Sequence, residues 1–304
     1  MNPPRISIIV PSYNQAPYIE AALCSVLDQQ YPALELIVMD GGSSDATPGI
    51  LRQYAEKLAH YESIADRGQS HAINKGLARA TGDIWAYLNS DDLLIPGSLA
   101  RIAELFTDPA TDWVGAVSTI FDEKGDRGEV RSSAPPSLKE VLTPWNRSVQ
   151  YIFPCSNVSF MRRSVVERIG MFDESFDYSM DMDYYTRAMF AGYLLRRVPD
   201  VLGRWRWHTE SKTQREGMTY QFLGEELRIA RAYADRLPDD QREVVWKEIH
   251  QQTRWFYVRR ALHENSSGPA WRKVVRLASD AVRHPSLITF RPWLGAVKKQ
   301  MLPR

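Results

Sequence analysis

The first hundred residues alternate apolar, β-rich runs with helically spaced segments, and this alternation limits the possible folds more than any other feature. Ile6–Val10, Leu34–Met39, Tyr61–Ala65 and Ile84–Leu88 read as strands. Tyr18–Leu27, Thr47–Leu58 and Ser70–Ala80 lie between them with apolar residues at helical spacing, and Ser98–Phe106 predicts a fourth helix. Thr47-Pro48 supplies an N-cap and a first helical residue. Such a chain predicts an α/β fold with a mostly parallel sheet, right-handed crossovers and flanking helices. A parallel sheet gathers its strand ends on one edge. Each run here ends in polar residues: Tyr13 and Asn14, Asp40, Asp66, and Asn89-Ser90-Asp91-Asp92. These residues are expected to converge where α/β sheets bind ligands.

Beyond Trp113 the pattern changes. Val114–Phe121 and Glu129–Arg131 flank a turn and predict a hairpin. Asn157–Met161 reads as a strand, Ser164–Ile169 and Asp181–Phe190 as helices, and Leu194–Arg197 and Val201–Trp207 as two strands. From about Gly217 the chain reads as polar-faced helices, broken at Pro238, Gly268, Pro285 and Pro292. At 304 residues it can bury a full core, as one large domain or one and a half. The net charge of +1 hides a segregation, because residues 241–304 hold 13 Lys/Arg against 4 Asp/Glu. Cys24 and Cys155 read as free buried thiols of a reducing compartment. The start Met-Asn-Pro-Pro-Arg lacks an export pattern, and no apolar run approaches the roughly 20 residues of a spanning helix. The expected location is the cytoplasm, with the basic tail a candidate for the inner face of the cell membrane.

Two adjacent acids at the end of a buried strand are costly unless something positive binds there. For Asp91 and Asp92 the usual answer is a hard divalent cation carrying a phosphate. Asp40 and Asp66 stand at strand ends, where a carboxylate can accept from a ligand N–H or hydroxyl. The plainer reading of Asp40 and Asp45 is that they cap the following helix. Gly41 and Gly42 permit close approach of a ligand. Lys75 can reach a phosphate as a point charge, or simply sit solvated on its helix.

Five stretches together resemble the inverting family 2 glycosyltransferases with the GT-A fold. They are Ile8-Ile9-Val10-Pro11-Ser12-Tyr13-Asn14, Asp40-Gly41-Gly42-Ser43-Ser44-Asp45-Ala46-Thr47, Asp66-Arg67-Gly68-Gln69-Ser70-His71-Ala72-Ile73-Asn74-Lys75-Gly76, Leu88-Asn89-Ser90-Asp91-Asp92 and Met180-Asp181-Met182-Asp183. The resemblance covers roughly residues 5–215. It implies a GT-A domain over 1–215, with a Rossmann-like nucleotide-sugar half (1–110) and an acceptor half (111–215), then a helical extension over 216–304. It implies donor contacts from Pro11, Tyr13, Asn14, Asp40, Asp66, Lys75, Asn89, Ser90 and Asp91. It implies Mn²⁺ or Mg²⁺ on Asp91, Asp92 and His208, and Asp181 as catalytic base.

The chain departs from the family pattern twice. Asn89 stands where Asp opens an Asp-x-Asp, although an amide still accepts from a ribose hydroxyl. Met180 stands where Glu precedes the base, which leaves Asp183 as an alternative to Asp181. Trp205 and Trp207 can stack on an acceptor sugar or pack in the core. Gln251-Gln252-Thr253-Arg254-Trp255 fits the Gln-x-x-Arg-Trp signature of processive synthases, but it lies too far past Asp181 and reads as an ordinary helix. Basic residues mixed with aromatics over Trp271–Arg304 suit an anionic membrane surface, or packing on the core or a second subunit. The resulting expectation is transfer of a sugar from a UDP-sugar to a hydroxyl, on a lipid-linked saccharide of surface polysaccharide assembly. The rivals are a metal-dependent nucleotidyltransferase and a non-catalytic nucleotide-sugar scaffold. The first usually needs a glycine-rich basic loop after the first strand, and Pro11–Gln15 has no basic residue.

Overall fold

The computed structural model describes residues 3–130, 136–146, 153, 155–212, 219–263, 270–285, 291 and 294. The chain divides into two compact units, Met1–Leu138 with Ser148–Ser211, and Lys139–Arg147 with Lys212–Arg304.

The first unit is built on one sheet. Strands β1 (Ile6–Ser12), β2 (Leu34–Asp40), β3 (His60–Ser63) and β4 (Ile84–Tyr87) pair in parallel in the order β3-β2-β1-β4. Helices α1 (Ile19–Leu27), α2 (Thr47–Tyr54) and α3 (Gln69–Arg79) connect them, as the alternation predicts. The inner strands β1 and β4 are buried on both faces, which explains their apolar runs, broken only by the buried Ser7 of β1. Ile8, Val10, Leu36, Val38, Ala86 and Leu88 pack against Ile19 and Leu23 of α1 in the main core. Gly76 lets α3 lie close on β1, since a Cβ there would run into the Ile9 side chain.

The sheet then continues with reversed and mixed pairing. After β4 come β5 (Leu93–Leu94), α4 (Ser98–Leu105), β6 (Trp113–Asp122) and β7 (Gly125–Val130). They are followed by the short α5 (Leu138–Leu142), β8 (Ser159–Arg162), α6 (Arg163–Ile169), α7 (Met180–Phe190) and β9 (Leu195–Arg206). The order beyond β4 is β8-β6-β9-β5, with β7 paired to β6 as the expected hairpin. Strand β8 is antiparallel to both β4 and β6, and β9 runs parallel to β6.

Three expectations are corrected. The two strands foreseen at Leu194–Arg197 and Val201–Trp207 are one strand, β9. Pro199 lacks an N–H for the ladder, and the pairing with β6 shifts register between Gly115 and Ser118 instead of stopping. Asn157 lies in a 3₁₀ turn over Ser156–Val158 that leads into β8, not in a strand. Strand β5 was not foreseen, because two residues carry no periodicity. It pairs Leu93 with Arg204 and Leu94 with Gly203 at the end of β9.

The second unit contains α8 (Thr219–Tyr233), α9 (Asp239–His263) and α10 (Ala270–Arg283). Leu223, Leu227 and Ala230 of α8 are buried, as are Val245 and Ile249 of α9. Arg260 pairs with Asp280, and Tyr257 contacts His284, so polar groups tie α9 to the end of α10. The Gln251–Trp255 stretch lies within α9, as expected of an ordinary helix. Among the described residues no helix is long and apolar enough to cross a membrane. Gly217, Gly268, Pro292, Ile288, Phe290, Trp293, Val297 and Met301 of the sequence reading lie outside the described residues.

Candidate functional site

Parallel pairing brings the strand ends to one edge, and hydrogen bonds join them along it. The Gly41 N–H donates to the Ser12 carbonyl at 2.8 Å, tying the end of β2 to the end of β1. Asn14, in the left-handed region at φ 53°, accepts from the Ser44 N–H through Oδ1 at 2.9 Å. Its own N–H donates to Ser43 Oγ at 2.7 Å. Asn14 therefore cross-links two loops. Tyr13 beside it is 62% exposed, so its ring is open to a flat ligand. Pro11 is buried within β1 opposite Met39.

Asp40 and Asp66 differ sharply. Asp40 is fully buried and accepts from the Ser43 N–H at 2.9 Å, Ser43 Oγ at 2.5 Å and Ser63 Oγ at 2.6 Å. Those bonds satisfy its carboxylate inside the protein and build the loop after β2. Asp66 is half-buried and accepts from the Gly68 N–H through Oδ1 at 2.8 Å. Its carboxylate lies where a side chain on Gly41 would go, 3.0 Å from that ideal Cβ. Gly41 thus makes room for a second residue's acid at the strand edge. Asp45 accepts from the Thr47 N–H at 2.9 Å and the Ala16 N–H at 3.0 Å, bracing the turn before the Ala46 N-cap, while Thr47, expected as the cap, is the first helical residue.

Lys75 is committed elsewhere. Its ammonium lies 2.5 Å from Glu62 of β3, and Arg79 one turn on reaches the same carboxylate at 3.0 Å. The Lys75 contact, foremost, holds the Glu62 carboxyl below its usual range. The structure does not bring Lys75 together with Asp91.

The acids after β4 form the densest part of the site. Asn89 accepts from Gln69 Nε2 at 2.7 Å, which links α3 to this turn, and Ser90 is buried. Asp92 is 1% exposed and accepts from the Arg206 N–H at 2.9 Å and from Asn89 Nδ2 at 3.3 Å. Burial first, then the neighbouring Asp91, pushes its pKa well above the ordinary value. Asp92 caps no helix, since β5 intervenes and α4 starts after Gly97. Asp91 faces His208, with Oδ2 2.9 Å from Nε2, and both side chains are largely buried.

The Asp91–His208 donor set fits a divalent cation. A carboxylate oxygen and an imidazole nitrogen about 3 Å apart are spaced like adjacent ligands of an ion with bonds of about 2.1 Å. Neutral imidazole favours Mn²⁺ over Mg²⁺. Among the described residues no group of three or more His, Cys, Asp or Glu converges for a metal. The remaining ligands would therefore be oxygens of a bound diphosphate or water.

Asp181 lies in the first turn of α7, half-buried, and accepts from the Met182 N–H at 2.8 Å. Burial, then Tyr185 and Asp181, with Asp92 also contributing, raises the Tyr87 phenol. Burial, then Asp92 and Asp181, raises the Cys155 thiol. Both carboxylates thus lie within electrostatic reach of Tyr87, at the end of β4, and of Cys155. Asp183, the alternative base, is 5% exposed and accepts from Arg187 Nε at 2.9 Å. Arg187 also donates to the Ile169 and Met171 carbonyls, so Asp183 anchors the base of α7.

Residues overlooked in the sequence hold this arrangement. Asn74 donates to the Phe172 carbonyl and accepts from its N–H, both at 2.9 Å. Ser70, one turn earlier, donates to the Phe176 carbonyl at 3.1 Å. The two fix the segment leading to Asp181 onto α3. Their signal was a buried polar pair four apart on a helix whose neighbours Ala72, Ile73 and Leu77 are core. Arg206 was also passed over, although it ends β9 only two residues before His208. Trp205 alternates with Arg206 onto the other face and meets Trp207 edge-on, with centroids 5.6 Å apart. Both rings are half-buried and lie outside the buried core.

Known proteins are similar to this chain in sequence and in fold. The chain is 30% identical over 207 residues to the glycosyltransferase AglE of Haloferax volcanii, which covers 66% of this chain and 66% of that one. It is 32% identical over 176 residues to an uncharacterized glycosyltransferase of Nostoc, covering 56% of this chain and 54% of that one. The chain thus spans about half to two thirds of these relatives' length. In fold it is similar to Staphylococcus aureus TarS 1–349 in complex with UDP-GlcNAc, at a TM-score of 0.61 and 18% identity, over 97% of this chain and 80% of that one. It is also similar to the mannosyltransferase PcManGT of Pyrobaculum calidifontis in complex with GDP-Man and Mn²⁺, at 0.60 and 24% identity, over 99% and 85%. These likenesses identify the sheet and its flanking helices as the GT-A arrangement. The model of glycosyl transferase family 2 matches residues 7–170, more than half of the 304, and takes in the ends of the four parallel strands; the chain belongs to that family.

Proposed function

We propose that this chain is an inverting glycosyltransferase that moves a sugar from a nucleoside-diphosphate donor, a UDP-sugar, to an acceptor hydroxyl. The Asp91–His208 pair at 2.9 Å, on the same rim as Asp66 and Asp181, carries the reading. Tyr13 offers a face to the base, and Asp66 offers the carboxylate for its N–H. Asp40 shapes the loop beneath them. Asn14, Asn89 and Ser90 fix the ribose and diphosphate edge. Asp91 and His208 would hold Mn²⁺ or Mg²⁺, with Asp92 behind them, and the cation would neutralise charge on the departing nucleotide. The complexes of TarS with UDP-GlcNAc and of PcManGT with GDP-Man and Mn²⁺ support a metal-bound nucleotide-sugar.

Asp181 takes the proton of the acceptor hydroxyl as that oxygen attacks the anomeric carbon. The bond from that carbon to the phosphate oxygen breaks on the opposite side, so the configuration inverts and the nucleoside diphosphate leaves. The acceptor half, residues 111–215, presents the hydroxyl, and residues 216–304 form a helical extension. Thirteen Lys/Arg over 241–304 support peripheral contact with anionic membrane, where a lipid-linked saccharide would be met.

Thermal shifts with nucleoside diphosphates, with and without Mn²⁺, test the reading. UDP with Mn²⁺ is expected to stabilise the protein more than either alone, by about 2.7 kcal/mol at a hundredfold excess over Kd. No shift with any nucleoside diphosphate would contradict it.

A further inference from the structure

The donor set just described depends on something that keeps an aspartate and a histidine, 117 residues apart, in register. His208 follows the last strand of the sheet and has no helix to hold it. Metal-binding histidines normally fix their ring by hydrogen-bonding the second nitrogen to a partner. Here His208 Nδ1 is buried and finds no partner among the described residues. The ring is set by other means.

Arg206 supplies them. Its N–H donates to Asp92 Oδ1 at 2.9 Å, and its Nε donates to the Asp91 carbonyl at 2.8 Å. One residue thus holds both halves of the Asp91–Asp92 turn, through main chain and side chain. Its guanidinium lies between two rings, 4.9 Å from the Tyr18 centroid and 4.5 Å from that of Phe121. The Tyr18 ring also meets the His208 ring, with centroids 4.8 Å apart and planes tilted by 49°. Arg206, at the end of β9, and His208, just beyond it, therefore both contact Tyr18, while Arg206 holds the turn that His208 faces. Tyr18 precedes α1, on the same connection as Asn14, so the stack also reaches the loop after β1.

We propose that Arg206 is the positioning residue of the metal pair, holding Asp91 and His208 at the separation needed to share a divalent cation, with Tyr18 in place of the missing hydrogen bond to His208. This rests on the reading that Asp91 and His208 hold the cation. The guanidinium is needed for its planar stack and its Nε direction, not its charge alone, so lysine should not replace it.

The test is Mn²⁺ affinity, measured by calorimetry in saturating UDP, for wild type, Arg206→Met, Arg206→Lys and Tyr18→Leu. Arg206→Met is expected to weaken Mn²⁺ binding by about 10-fold or more, with UDP binding in EDTA unchanged. Arg206→Lys should recover less than half of that loss on a logarithmic scale. Mn²⁺ affinity within twofold of wild type in Arg206→Met, or full recovery in Arg206→Lys, would overturn the proposal. If neither arginine variant folds by circular dichroism, Tyr18→Leu decides: a loss of about 3-fold or more supports the stack, and an unchanged affinity overturns it. Wild-type protein that binds UDP but no Mn²⁺ would sink the metal reading and this inference together. Equal Mn²⁺ binding by wild type and Arg206→Met sinks only the inference.

Discussion

At the residue scale, one acid on the rim is structural and another is available. Asp40 accepts three hydrogen bonds from Ser43 and Ser63 in full burial, whereas Asp66 is half-buried with one of its oxygens bound to the Gly68 N–H. Replacing Asp40 by alanine is expected to destabilise the fold by about 1–3 kcal/mol, because buried donors lose their acceptor. Replacing Asp66 by alanine should leave the melting temperature within about 2 °C and raise the donor KM; the 2 °C margin corresponds to about 0.5–1 kcal/mol at this size. The opposite pattern would exchange their roles. Asp181→Asn should lower kcat by about 10²–10⁴-fold with UDP binding retained. Unchanged turnover in that variant would move the base elsewhere. Glu62 gives a pH signature unrelated to catalysis. Lys75 and Arg79 hold its folded pKa below 4.5, so the stability it adds is full above that value and is lost as pH falls through the folded pKa. Thermal melts of Glu62→Gln should therefore show a deficit at pH 7 that closes in acid. A deficit independent of pH would mean the ion pair is not its source.

Elements were legible where the pattern was long, and illegible where hydrogen bonding decided. Strands β1, β2 and β4 announced themselves because they are largely buried and mostly apolar, with only Ser7 and Glu35 interrupting the runs. Strand β5 did not, since two residues cannot show alternation, yet its pairing with β9 fixes the chain just after Asp92. Pro199 made β9 look like two strands, because sequence registers a missing N–H but not a partner strand that shifts to accommodate it. The strand-end acids were readable as a set, but which of them faces inward was not. Asp40 and Asp66 look alike in sequence, and Ser43 of the following loop and Ser63 at the end of β3 separate them. Likewise Ser70 and Asn74 resemble ordinary helix polar residues until Phe172 and Phe176 are found against them. A test at this scale is Gly76→Ala. The new methyl group would push α3 off Ile9 and β1, at a cost of about 1–3 kcal/mol. Because α3 also carries Ser70 and Asn74, kcat should fall along with the melting temperature. A lower melting temperature with unchanged kcat would show that α3 does not position Asp181.

At the scale of the whole molecule, all the proposed donor chemistry lies in the first compact unit, Met1–Leu138 with Ser148–Ser211. On that proposal the parallel strands supply the nucleotide edge and the mixed half brings His208 and Asp181 to it, so binding would require both halves of one sheet. The most direct measurement is the anomalous scattering of manganese in crystals grown with Mn²⁺ and UDP. The account predicts one strong peak at about 2.0–2.4 Å from Asp91 Oδ2 and His208 Nε2, with the diphosphate on the same ion and the base beside Tyr13 and Asp66. A nucleotide-bound manganese that touches neither Asp91 nor His208 would contradict it.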